Sequence, residues 1–432
     1  MITILQGDVV EQLKTLPTNS IDSIVADPPY ALTTTKRWKD DVKFSQNQSD
    51  VGKRFSKGFM GKEWDGAIPG VEVWREALRV VKPGAHMLAF GGTRTHHRLM
   101  VAIEDAGWEI RDTLMWVYGS GFPKSLDVSK AIDKAAGVER EVVGKGISGN
   151  PQSHKTHNMG NDIINGGYEF GGEFNLTIPA TDAAIQWNGW GTALKPAWEP
   201  IALCRKPLDG TVAANTLKWG VGGINIDGCR VAYQSKADYE NLINNYKGGL
   251  ERATPETQES WNLHEGGWKL GKGIVLPEET RGRFPANLIH DGSDEVLERF
   301  PDTKSVKSKR GDGIGIGYHG SDATFDTERG FNDFGSAARF FYCAKASKSE
   351  RGTDNKHPTV KPFALMRYLC KLITPQKGIV LDPFMGSGST GVAAYQEGFN
   401  FTGFELEKDS FETADLRIKN AKVQDKLGEW FE

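Results

Sequence analysis

In GIVLDPFMGSGSTGVAAYQEGFNFTGFELEKDSFETADLRI, residues 378–418, the pattern runs strand, glycine loop, helix, strand and helix. Ile379, Val380 and Leu381 form a short continuous apolar run, as strands of a parallel sheet covered on both faces require. Gly386, Gly388 and Gly391 occupy the following loop and first helical turn, where backbone has to approach a ligand with no Cβ in the way. A second apolar run, 401–406, carries Glu405 nineteen residues beyond Gly386. At about that separation an acid meets ribose hydroxyls in a nucleoside-binding βαβ unit.

The loop itself narrows the ligand. It opens with Asp382-Pro383-Phe384 and lacks the uninterrupted glycine cradle that a pyrophosphate needs. A carboxylate there repels phosphate and welcomes a cation. The expected ligand is a nucleoside joined to a positive group, and S-adenosylmethionine, with its sulfonium and ammonium, has that character. A nicotinamide dinucleotide is the competing reading.

One βαβ unit is too small to be a domain, and the N-terminus offers more sheet. ITILQGD (2–8) is a strand ending in Asp8, 9–16 is helical, and 22–26 is a strand that stops at Asp27-Pro28-Pro29-Tyr30. WREALRVVKPGAHMLAFGG (74–92) reads as a helix ended near Pro83-Gly84 and a strand over 86–90. A helix over 93–106 and a strand over 110–117 follow. Acids and glycines fall repeatedly at strand carboxyl ends, the edge where open α/β sheets bind ligands. The simplest architecture is one α/β sheet whose halves lie at opposite ends of the chain, with residues 118–342 inserted or appended.

Two successive prolines after Asp27 remove two backbone donors, so the strand cannot continue its ladder. The carbonyls of Asp27 and Pro28 remain as acceptors, the Asp27 carboxylate is a further one, and Tyr30 offers a flat ring. Converging acceptors beside an aromatic face suit a planar group bearing NH₂, such as a nucleobase. That amine is a poor nucleophile because its lone pair is delocalised; fixed acceptors on its N–H groups favour pyramidal nitrogen. A base inside a duplex has to be rotated out before it can reach such a site.

Taken together, these residues resemble the site-specific DNA amino-methyltransferases in the permuted order called the β class. There the catalytic motif precedes the cofactor motif, as Asp27-Pro28-Pro29-Tyr30 precedes Asp382–Gly388 in this chain. The resemblance implies a Rossmann-like, circularly permuted S-adenosylmethionine-dependent sheet with a large mixed insert for target recognition. HPTVKPFALMRYL (357–369) is similar to the family segment that holds the methionine end of the cofactor, which makes Thr359 and Lys361 cofactor-side candidates. By the same resemblance Glu405 binds ribose, Asp8 receives the adenine amine of the cofactor, and Asp382, Pro383, Phe384, Gly386 and Gly388 form its loop. KPAWEPIALCRKP (195–207) is similar to the family's late strand, expected antiparallel to a strand such as 113–117. An acid before Pro-Pro-Tyr accompanies N6-adenine transfer in most of the family, so Asp27 favours adenine over N4-cytosine. Much of the middle is matched only as a phage-type methylase pattern.

The implied organisation is a catalytic half (1–117), a substrate-facing insert (118–194), a late strand (195–208), a target-recognition region (209–340) and a cofactor-binding half (341–432). The insert carries a helical stretch, 127–137, and short apolar pieces at 286–291 and 338–345 read as strands returning to the core. Basic runs at 36–44, 52–62 and 304–310 are candidates to track phosphates, Lys304, Lys307, Lys309 and Arg310 among them, although the net charge is only -3. Duplex DNA is therefore the expected partner. The resemblance admits a homodimer, and a restriction endonuclease partner or none. The pairs His96-His97 and His154/His157 find no further ligands at suitable spacing, so no metal is expected. Four scattered cysteines without a C-x-x-C, an acid in the N-terminal segment and the lack of a long apolar run point to a cytoplasmic protein without a membrane span. An RNA amino-methyltransferase and a non-catalytic DNA-binding protein on the same fold are the alternatives.

Overall fold

The structure is a computed structural model and describes residues 1–31, 68–119, 121, 125–147, 173–233, 235–236, 238–240, 282–304, 308–309, 328–329, 334–344 and 361–421. The chain divides into two units: Met1–Pro28, Pro69–Gly119 and Glu199–Glu432 form the first, Pro29–Ile68 and Ser120–Trp198 the second. Thr359, His154, His157, the basic runs 36–44 and 52–62, Lys307 and Arg310 lie outside the described residues.

The first unit opens with β1 (Ile2–Gln6), α1 (Val9–Thr15), β2 (Ile21–Ala26), α2 (Val71–Val80), β3 (Val81–Phe90), α3 (His96–Asp105) and β4 (Glu109–Val117). In the second unit α4 (Val128–Ala135), capped by the Asp127 carboxylate, precedes the antiparallel pair β5 (Val142–Ile147) and β6 (Glu173–Thr177) and the short α5 (Asp182–Gln186). The first unit resumes with β7 (Trp198–Arg205), α6 (Val212–Trp219) and β8 (Leu288–His290). Two small antiparallel ladders follow, β9 (Asp302–Lys304) with β12 (Phe334–Ser336) and β10 (Ser308–Lys309) with β11 (Glu328–Arg329). The chain then forms β13 (Tyr342–Cys343), α7 (Phe363–Ile373), β14 (Ile379–Asp382), α8 (Ser389–Gln396), β15 (Asn400–Glu405) and α9 (Lys408–Lys419).

Nine strands make one sheet in the order β1-β15-β14-β2-β3-β7-β4-β8-β13. The two ends of the chain interleave: Ile2 pairs with Phe401 and Gln6 with Glu405, while Val380 and Leu381 pair with Ser23 and Ile24. Every pairing from β1 to β3 is parallel. All six residues of β2 are buried, the pattern of a central parallel strand covered on both faces. On one face Ile24 and Ala26 of β2, Met87 and Ala89 of β3, and Ala202 and Cys204 of β7 pack with Leu13, Trp74, Ala77 and Ile103 of α1, α2 and α3. The alternate residue Ser23 meets Thr374, just after α7, across 2.8 Å. Asp22 locks the junction of the two halves, because Oδ1 accepts from Lys82 Nζ at 2.6 Å and Oδ2 from the Ile379 amide at 2.7 Å.

Several local expectations change in the folded chain. Strand β3 starts at Val81, directly after α2, and absorbs Pro83-Gly84 instead of beginning beyond them. The register against β2 slips there, and Gly84 adopts φ 79° and donates to the carbonyls of Lys206 and Pro207. The late strand, here β7, lies between β3 and β4, and its antiparallel register is with β3, from His86↔Arg205 to Phe90↔Ile201. Strands β8 and β13 extend the main sheet in parallel, although β8 comes from the 209–340 stretch. Among the described residues no helix is long and apolar enough to cross a membrane.

Phe404 on β15 is fully buried in the core. Phe404→Ala is expected to cost about 3–5 kcal/mol of stability through lost transfer energy and the cavity left behind, measured by urea denaturation; a loss well under 1 kcal/mol would contradict this packing.

Candidate active site

Because β1, β15, β14, β2 and β3 run parallel, their carboxyl ends share one edge, and β7, running the other way, begins there. The result is a row of acids. Asp8 follows β1, Glu405 ends β15, Asp382 ends β14, Asp27 follows β2, and Glu199 starts β7 beyond β3.

The glycine loop after β14 is organised from inside. Asp382 is buried; its Oδ1 accepts from the Phe384 amide at 3.0 Å and its Oδ2 from the Thr390 hydroxyl. Burial pushes its pKa up to about 7, with the charges of Asp27 and Glu405 adding to that rise and the two hydrogen bonds opposing it. Pro383 is buried, and the half-buried Phe384 ring lies 6.1 Å from Trp74. Gly386 (φ 51°) and Gly388 (φ 82°) both need the left-handed region. At Gly388 a Cβ would also lie 2.9 Å from the Ala414 Cβ, and at Gly391 it would strike Ile418 and Phe401. These two glycines are therefore demanded by the packing of α8 against α9 and β15, rather than by a ligand alone. Glu405, raised in pKa chiefly by burial, accepts from the amides of Glu407, Gly386 and Leu406. Asp8 is exposed and caps α1, its Oδ1 taking the amides of Val10 and Glu11 at 2.9 and 3.3 Å.

The centre of the row holds a buried cation. Lys361 stands just before α7, its side chain 7% exposed, and its Nζ lies 2.7 Å from Asp27 Oδ2 and 3.3 Å from Glu199 Oε2. The ammonium sits 4.8 Å from the centre of the Phe90 ring. Burial alone would lower its pKa, but the carboxylates of Asp27 and Glu199 outweigh that and carry it above the usual lysine range. Tyr118, at the end of β4, donates to the other Glu199 oxygen across 3.4 Å, and its own pKa is raised by burial and then by that carboxylate.

A family model for N6/N4 methylases, described as "DNA methylase", matches residues 21–415. The chain belongs to the N6/N4 DNA methylase family. It is similar to the Type II methyltransferase M.HindIII of Haemophilus influenzae, 23% identical over 434 residues that span 96% of this chain and 94% of the relative. Among solved structures, an M1.HpyAVI–SAM complex is 15% identical at a TM-score of 0.37, with 97% of this chain and 99% of the other covered. The PvuII DNA methyltransferase (cytosine-N4-specific) is 11% identical at a TM-score of 0.38, covering 99% and 88%.

In this methylase, Asp27, Pro28, Lys361, Asp382, Pro383, Phe384, Gly386, Gly388, Glu405 and Asp8 all lie in the first unit, at or next to the carboxyl edge of its sheet. Pro29 and Tyr30 are half-buried and belong to the second unit. Lys361, expected on the cofactor side, is instead bonded to Asp27. Glu199 and Tyr118 were not foreseen. The available signal was the acid in WEPIALCR, which reaches the edge only because β7 is antiparallel to β3.

Lys361→Met keeps the side chain's bulk and removes its charge, leaving two carboxylates facing each other. Both are about one-fifth exposed, at 22% and 20%, which softens the penalty. A loss of about 1–3 kcal/mol in urea denaturation is expected; unchanged stability would mean that the ion pairs are not formed in solution.

Proposed function

We propose that this DNA methylase transfers a methyl group from S-adenosylmethionine to the N6 amine of adenine within a defined sequence of duplex DNA. The observation that carries this reading is the position of Asp27: the acid of Asp-Pro-Pro-Tyr closes the strand next to the one that ends in Asp382 and the glycine loop. The loop suits the cofactor because a buried carboxyl whose charge is opposed by its surroundings gains most from a cationic ligand. Asp382 would hold the cationic end, the Gly386–Gly388 backbone would line the approach, Glu405 would take the ribose hydroxyls and Asp8 the adenine amine. Bound there, S-adenosylmethionine supplies an electrophilic methyl on sulfur.

The remaining chemistry belongs to the chain. Asp27 and the Pro28 carbonyl accept the N–H groups of the target amine and orient its lone pair, a near-attack arrangement of the kind that brings reacting atoms to about 3–3.5 Å. Tyr30 supplies the ring on which the rotated base stacks, a contact that returns about 1–3 kcal/mol. As the nitrogen gains positive charge, the acid row stabilises it where it develops. The residues 118–194 and 209–340 are the proposed substrate-facing and target-reading regions. N4-cytosine transfer is the second reading, since the family covers both amines and the acceptors do not distinguish them. The likeness to M.HindIII, a Type II methyltransferase, supports a restriction endonuclease of matching specificity as a partner.

Long-read sequencing of DNA from a methylation-free host expressing the chain tests this directly: modified adenine in one sequence context is expected, and unmodified DNA would refute it. Asp27→Ala should lower transfer by at least about 100-fold while the calorimetric affinity for S-adenosylmethionine changes little. Retained transfer would remove Asp27 from the reaction.

A pH dependence follows from Asp382. With a pKa of about 7 its carboxyl is ionised above that pH and neutral below it, so affinity for a cationic cofactor falls as pH drops through 7. Calorimetry should find binding several-fold weaker at pH 6 than at pH 7.5, with the dependence absent in Asp382→Asn. A flat wild-type profile would contradict the assignment.

A further inference from the structure

We propose that Glu199 is a positioning residue for the transfer, acting through Lys361: by sharing the ammonium it leaves the Asp27 carboxylate with uncompensated negative charge at the reacting amine. The inference rests on the methyltransferase reading above and adds a residue to it.

The geometry is built for sharing. Lys361 is followed by Pro362, whose φ of -58° caps α7, and the buried turns of that helix anchor the lysine backbone. Its stem is buried and its Nζ lies against the Phe90 ring, so the ammonium cannot swing out to follow a single partner. Glu199 is held from the far side, one oxygen toward Lys361 and the other accepting from Tyr118. Paired with Lys361 alone, Asp27 would belong to a neutral one-to-one ion pair. With Glu199 included, two carboxylates share one cation and the trio carries a net charge of about -1.

That surplus matters because of how charge moves. The amine nitrogen donates its lone pair to the methyl carbon, the carbon–sulfur bond breaks with its electrons remaining on sulfur, and positive charge passes to nitrogen. The nitrogen then releases one N–H proton through Asp27 to water. Throughout these steps Lys361 keeps Glu199 as a counter-ion, so a change of charge on Asp27 never leaves the buried ammonium alone, a state that would be costly. Glu199 does not touch the base; it sets the charge and place of the residue that does.

Glu199→Gln preserves shape and an oxygen for Lys361 while removing the charge. Expected is a fall in kcat of about 10–100-fold, with calorimetric affinity for S-adenosylmethionine, KM for DNA and melting temperature close to wild type. Glu199→Asp keeps the charge but withdraws it by one methylene from an ammonium 3.3 Å away, and should fall between the two. Wild-type turnover in the same assay reports on the methyltransferase reading; only the ratio of variant to wild type reports on Glu199. A Glu199→Gln kcat within about twofold of wild type, or a loss that appears in cofactor affinity instead of kcat, would overturn the proposal. If Glu199→Gln is not recovered folded, Glu199→Asp decides alone: reduced kcat at unchanged affinity supports it, and equal kcat overturns it.

Discussion

A lysine ammonium taken out of water must find anions, and Lys361 finds two, Asp27 and Glu199, from segments 334 and 162 residues away in the chain. An unpaired charge at this depth costs several kcal/mol. The three residues meet only when α7 lies over the sheet, β2 and β3 are neighbours, and β7 runs antiparallel beside β3. The ion pairs thus couple the packing of the sheet to the electrostatics of its edge.

The permuted order of the chain makes this arrangement reachable. Strands β1 and β2, from the start, alternate with β14 and β15, from the end, so acids from distant segments line up on adjacent strand ends. Asp22 secures the same seam at the opposite edge by bonding Lys82 and the amide of Ile379. One edge concentrates negative charge and the other ties down the halves that carry it. The raised pKa values of Asp382 and Glu405 express the cost of that concentration, and a cationic ligand is what relieves it.

Much of this was legible in advance where chemistry and period act locally. The apolar run before Asp382, the glycine loop and the acid nineteen residues beyond Gly386 form a contiguous unit, and β14, α8 and β15 occupy it with ends shifted by a residue. The Pro-Pro step ended β2 at Ala26, since two missing donors stop a ladder whatever surrounds them. Pro83-Gly84 misled for a related reason: such a dipeptide ordinarily punctuates, but carbonyls from Lys206 and Pro207 received the Gly84 amide and kept the strand running. Gly388 and Gly391 were read for a ligand, yet contacts with α9 and β15 demand glycine at both positions.

The sequence by itself determined the α/β class, the split of the sheet between the two ends of the chain, the position of Asp27 at a strand terminus and the cation-seeking character of the loop at Asp382. Each of these follows from residue types at short spacing. Only the tertiary structure decided that β7 enters between β3 and β4, that Glu199 and Tyr118 join the edge, and that Lys361 turns toward Asp27. Strand neighbours and buried ion pairs depend on where distant segments pack, and no local pattern in the chain encodes that distance.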